Sequence, residues 1–228
     1  MSFHIITIFP KSLKEYFNSS ILGRALKNKK IEINLHNLRD YTQDKHKKTD
    51  DKPYGGGPGM ILKLEPIVKA ISKIKSKISN LLADKTGLEN SKIILFSPSG
   101  KQFTQKMAKN WTKKYNNLIL ICGRYEGVDA RVKKILRAEE ISVGPYILTG
   151  GELPAAVIVD AVARHIPSVL GKEESLEEER EISGFPVYTK PEVFEYQGKK
   201  YSVPKILLSG HHKKIKNWRK KHSKKIDF

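Results

Sequence analysis

The chain has 228 residues, 39% of them hydrophobic, which is enough for one medium domain and a smaller appendage without covalent staples. Its only cysteine is Cys122, which excludes an intrachain disulfide and a cysteine-based zinc site. Lys and Arg total 43 against 24 Asp and Glu, a formal net charge of +19 that fits either a polyanionic partner such as nucleic acid or a composition biased towards lysine.

The opening MSFHIITIFP is too short and too uncharged at its start for a secretory signal. No apolar run approaches the ~20 residues that span a bilayer, so a cytoplasmic protein without a membrane partner is expected. Phe3 to Phe9 reads as a buried strand closed by Pro10. The next segment places Leu13, Phe17, Leu22 and Leu26 on one helical face, and 31–35 alternates as a strand. A polar stretch then ends in the run Tyr54-Gly55-Gly56-Gly57-Pro58-Gly59-Met60. After Glu65 and Pro66, the spacing of Ile67, Ile71, Ile74, Ile78 and Leu81 predicts an amphipathic helix, with Lys73, Lys75 and Lys77 on its solvated face.

The middle of the chain alternates. Strands are predicted at 93–97, 118–122 and 140–143, and helices around Phe103, Met107 and Trp111, over 132–136, and over 155–165. Apolar strands alternating with helices predict an α/β domain whose parallel sheet is covered on both faces. From Ser168 the chain turns acidic, and beyond Pro191 lies a short basic segment ending in a helix over 211–225. The expected organisation is an α/β domain over 1–167, an interdomain linker over 168–190 and a small, mainly helical basic domain over 191–228.

Ligands of parallel sheets gather at the carboxyl ends of strands. Three loops leave such ends: Ser97-Pro98-Ser99-Gly100, Gly123-Arg124-Tyr125-Glu126-Gly127, and the run from Val143 through Pro154. Their glycines let backbone approach a ligand closely. A single loop of this kind is only a tight turn, whereas three after consecutive strands point to a binding site. Neither a GxGxxG fingerprint nor a GxxxxGK[ST] loop is present, which argues against Rossmann redox enzymes and P-loop nucleotidases.

Four runs carry a more specific signal: Asp50 to Met60, Cys122 to Gly127, Tyr146 to Pro154, and Leu207-Leu208-Ser209-Gly210-His211. In order and register, from Phe3 to about Trp218, the chain resembles the bacterial tRNA (guanine-N1)-methyltransferases of the SPOUT superfamily. The resemblance implies a deep trefoil knot over about 97–154 that binds S-adenosylmethionine in a bent shape. Carried over by motif, Ser97, Pro98, Gly123, Tyr125, Glu126, Val143, Gly144, Pro145, Tyr146, Ile147, Leu148, Gly150, Gly151 and Pro154 line that pocket, with Pro145 standing where many relatives have Asp. It also implies methylation of N1 of the guanine 3′ of the anticodon, Mg²⁺ assistance, tRNA as partner, and a homodimer with a composite active site.

Attack by N1 needs a base, and charge developing towards O6 needs a cation. The resemblance assigns these roles to a linker carboxylate, Arg164 and Glu126. Counting forward from Gly171 and Ser175 puts the family's Asp on Glu179. Counting back from Tyr188 shifts the register, so Glu178 and Glu177 stay open. Gly59, Ser175 and Asp51 match positions near the target guanine, and Lys213, Lys214, Lys216, Arg219, Lys220 and Lys221 match a tRNA backbone grip. Two other readings stay open: a related enzyme acting on ribosomal RNA, and an RNA-binding relative without catalysis.

Overall fold

Five parallel strands form the centre of a computed structural model that describes residues 1–81, 90–170 and 184–224, the side chains of Asn80 and Leu81 excepted. They are β1 (Ser2–Thr7), β2 (Glu32–Asn37), β5 (Ser91–Gln102), β6 (Asn117–Ile121) and β7 (Glu139–Ser142), in the spatial order β2-β1-β6-β5-β7. Every pairing in this sheet is parallel. Between them run α1 (Lys11–Asn18), α2 (Ser20–Lys27), α3 (Leu64–Leu81), α4 (Gln105–Lys114), α5 (Arg131–Leu136) and α6 (Glu152–Ala163).

Strand alternation sends successive apolar residues into two cores. Leu118, Leu120 and Cys122 of the β6 region join Leu13, Phe17, Leu22, Trp111, Ile158 and Val162, which belong to α1, α2, α4 and α6. Ile119 and Ile121 face the other way, into Ile67, Ile71, Ile74 and Val132 from α3 and α5. With both faces covered, β6 has no polar side, which is why it reads as a continuous apolar run. Pro66 occupies the first turn of α3, where its missing N–H costs nothing, and Ile67, Ile71, Ile74 and Ile78 are buried along the predicted stripe.

The first helical segment differs from expectation. It is two helices, broken at Ser19, whose backbone is extended with φ −96° and ψ 156°. The five-residue step from Phe17 to Leu22 does not fit a helical period, and the break lets both residues bury. A short ladder between β3 (Asp50–Asp51) and β4 (Ile61–Leu62), absent from the sequence reading, closes the base of the glycine loop.

The chain divides into two compact units, Met1–Glu173 and Glu174–Phe228. Val169, expected in the linker, is buried in the core of the first. The second holds a hairpin of β8 (Val193–Tyr196) and β9 (Lys199–Ser202), then α7 (Lys205–Leu208) and α8 (His212–His222). The hairpin was not among the predicted elements. Its two-residue turn has positive φ at both Gln197 and Gly198, the conformation that matches strand twist.

Candidate functional site

The three glycine-rich loops meet. Adjacent strands β6, β5 and β7 deliver them to one end of the sheet, where they enclose a cavity of about 280 Å³. Ser97, Pro98, Gly123, Tyr125, Glu126, Val143, Gly144, Tyr146, Ile147, Leu148, Gly150, Gly151 and Pro154 line it, with Arg124 and Thr149 added. Pro145 is exposed and is not among the lining residues.

Each loop has a local cause. Phe96 and Lys101 both register against Ile141, so residues 97–100 are extruded from the β5–β7 ladder instead of ending the strand. A Cβ on Gly100 would stand 2.6 Å from the Ile141 nitrogen, so only glycine lets the strand re-enter there. Gly151 donates its N–H to the Gly123 carbonyl at 2.9 Å, and a Cβ on it would stand 2.5 Å from the Cys122 Cα. The second and third loops therefore touch backbone to backbone. Tyr125 adopts φ +60°, sparsely populated for a bulky residue, and its ring is 52% exposed at the cavity.

Beneath the loops sits an ionic tie that motif reasoning did not single out. Glu152, in the first turn of α6 and almost fully buried, receives the Thr7 hydroxyl at 2.5 Å and lies 2.9 Å from Arg124 Nε. The helix N-terminus favours its negative charge. Arg124 also donates Nη1 to the Thr149 carbonyl at 3.2 Å and lays its guanidinium over the Phe9 ring at 4.7 Å. One arginine thus joins the ends of β1 and β6 to the loop before α6. The signal was present in Gly-Arg-Tyr and Gly-Glu-Leu, but only the fold pairs them. Burial, with Glu152 nearby, pushes the Cys122 thiol up, so it is not a nucleophile.

The glycine run at 55–59 is fastened to the same place. Glu126 donates its N–H to the Met60 carbonyl at 3.0 Å, Leu62 donates to Gly127 at 3.0 Å, and Asp129 donates to Leu62 at 3.1 Å. Gly59, at φ +78°, comes so close that a Cβ there would stand 2.5 Å from Glu126 Cγ. Asp51 stands at the loop's base. The Lys52 N–H at 2.9 Å and Lys63 at 3.3 Å hold its carboxyl below the ordinary range.

Arg164 is elsewhere in the same unit. With Tyr16, Asp160 and Val169 it lines a second cavity of about 240 Å³ that shares no lining residue with the first. The Tyr16 phenol is pushed up to about 12 by its hydrogen bond to Asp160. Ser175, Glu177, Glu178 and Glu179 lie outside the described residues. Among the described residues no group of three or more His, Cys, Asp or Glu is placed to hold a metal ion, and no helix is long and apolar enough to cross a membrane.

Sequence comparison gives this geometry a context. The family model described as tRNA (Guanine-1)-methyltransferase TrmD matches residues 1–226. A protein of Dictyoglomus turgidum named tRNA (guanine-N(1)-)-methyltransferase is 52% identical over 227 residues, 98% of this chain and 85% of that protein. Proteins of the same name from Carboxydothermus hydrogenoformans and Ruminiclostridium cellulolyticum are 48% and 45% identical, each across 98% of this chain and across 83% and 91% of their own lengths.

Proposed function

This chain belongs to the tRNA (guanine-1)-methyltransferase family, and from that premise we propose that it methylates N1 of the guanine immediately 3′ of the anticodon in tRNA, working in the cytoplasm as a homodimer. The observation that carries the reading is the convergence of three glycine-rich loops on one cavity, with Glu126 held against Gly59 at its side.

The cavity fits S-adenosylmethionine by its construction. At about 280 Å³ it lies just below the roughly 300–1,000 Å³ typical of small-molecule sites. Its glycines let the lining loops pack closely against one another, as at Gly151, where a Cβ would meet the Cys122 backbone. The bound donor supplies a methyl group on a sulfonium sulfur. The lining residues of the three loops hold it, and the ion pair of Arg124 with Glu152 keeps those loops in register.

With the donor bound, guanine N1 would take its methyl group and give up its proton to a carboxylate, Glu179 by the best count, with Glu178 and Glu177 as the alternatives. Arg164 balances the charge that develops on O6, and Glu126 holds the guanine edge beside Gly59. Asp51 and Ser175 stand near the base. Because Arg164 and the glycine-lined cavity are separate within one chain, the reading places Arg164 and the linker carboxylate of one subunit at the cavity of the other. Magnesium, which binds through one or two carboxylates and water, would assist by neutralising developing charge.

Transfer of labelled methyl groups into a tRNA transcript tests the proposal. Incorporation is expected with guanine at the target position, yielding 1-methylguanosine on digestion, and background counts with adenine. Incorporation that ignores the base at that position sinks the N1-guanine reading.

A further inference from the structure

Three large aromatic side chains on the C-terminal hairpin face water. Phe194, Tyr196 and Tyr201 are each 56% exposed, although rings of this size ordinarily bury in cores or interfaces. The ladder pairs Phe194 with Tyr201 and Tyr196 with Lys199. Side chains alternate across a strand, so these four residues share one face.

Two positions nearer the base, past Val193 and Ser202, the alternation returns to Glu192 and Val203, joined by a 2.8 Å bond from the Val203 N–H to the Glu192 carbonyl. Both line a cavity of about 350 Å³ in the same unit, together with Arg219, whose guanidinium lies 5.1 Å from the Phe185 ring. The aromatic face therefore continues into a recess with a cation already seated on a ring.

Charge selects the occupant. Between residues 184 and 224 the chain carries eleven Lys and Arg against two Glu, and Lys199 stands on the aromatic face itself. An apolar protein partner has no use for that excess, whereas a polyanion with flat apolar faces needs both features. Phe194 and Tyr196, two positions apart on one strand, are spaced about 6.7 Å. That backbone spacing is about twice the ~3.4 Å step between successive bases of one strand.

We propose that this face is a stacking platform for unpaired bases of the tRNA, with Lys199 taking an adjacent phosphate. It rests on the proposed tRNA substrate and adds where a single-stranded segment is gripped. A duplex stem hides its base faces and does not fit; a loop exposes them.

Binding of a fluorescent tRNA transcript to the full-length protein over a range of salt concentrations tests the platform. Phe194→Ala, Tyr196→Ala and Tyr201→Ala are each expected to weaken binding roughly fivefold to a hundredfold, with the slope of log Kd against log salt unchanged. Lys199→Gln should weaken binding less and reduce that slope by about 0.7. Tyr196→Phe and Tyr201→Phe keep the ring and should bind as wild type. Phe194→Leu keeps apolar bulk without the ring and should lose affinity while melting as wild type.

Alanine variants that bind tRNA within twofold of wild type overturn the proposal, as does a change in oligomeric state on sedimentation, which would mean a second copy covers the face. Wild-type protein that binds tRNA through these rings yet transfers no methyl group would fail the enzyme reading alone. Normal methylation with an unchanged KM for tRNA in the alanine variants would fail the platform alone.

Discussion

At the ends of β5, β6 and β7 the candidate functional surface is built from loops packed backbone against backbone. Loops touch each other where a Cβ would not fit, and side chains such as Arg124 and Glu152 act by tying loops together. On the β8–β9 hairpin the reverse holds: the backbone only sets the spacing, and exposed side chains carry the surface. The first construction is rigid and admits little change; the second loses affinity side chain by side chain while the fold stays intact. A site for one small molecule suits the former, and a grip on a long polyanion can be assembled from the latter.

Replacing a glycine in each region should separate the two most. Gly151→Ala forces a Cβ onto the Cys122 backbone, and overpacking of this kind costs about 1–3 kcal/mol or more. Loss of S-adenosylmethionine binding by calorimetry, together with a lower melting temperature, is the expected result. Gly198→Ala meets open space at φ +72° and should cost only the left-handed strain of about 1–2 kcal/mol, leaving binding of the donor untouched. Equal effects of the two changes on donor binding would erase the distinction.

The ionic tie comes next. Glu152→Ala leaves Arg124, 23% exposed at its side chain, without its buried partner. About 3 kcal/mol is expected from denaturant unfolding, the low end for a broken buried pair because Arg124 keeps some water. A loss under 1 kcal/mol would show that the loops hold their arrangement without it.

The smallest effect at neutral pH is an acid one confined to the first unit. His4 Nδ1 lies 3.2 Å from His36 Nε2, and His36 Nδ1 lies 3.1 Å from the Tyr41 hydroxyl. Burial lowers His4, and burial with His4 and Lys77 nearby lowers His36 to about 4. Asn117 and Glu32 oppose the shift at His4. The fold binds fewer protons than the unfolded chain, so this stability is complete above about pH 6.5 and is lost as pH falls towards about 4. Melting temperatures from pH 7.5 to 4.5 should fall less steeply in His36→Asn. Parallel curves would place the acid sensitivity elsewhere.

Much of this was legible in the sequence. The strands at β1, β5 and β6 announce themselves because residues buried on both faces are mostly apolar, and α3 does so because its stripe keeps a helical period. The three loops were legible because glycine, proline and serine cluster where backbone turns sharply. The break at Ser19 was hidden by apolar residues on both sides of it. The β8–β9 hairpin was hidden because Gln-Gly is a weaker turn signal than Asn-Gly and its strands are only four residues long. The pairing of Arg124 with Glu152 had no local signal, since 28 positions separate them.

Residue type alone carried the α/β class, the central strands with their main covering helices, and the three loops that meet at the sheet's end, because burial and sharp backbone turns are written in composition. Only the tertiary structure decided that Gly59 abuts Glu126, that Arg164 lines a different cavity, and that Phe194, Tyr196 and Tyr201 share an open face. Those facts depend on contacts between distant segments, and strand register and close approach exist only after the chain has folded.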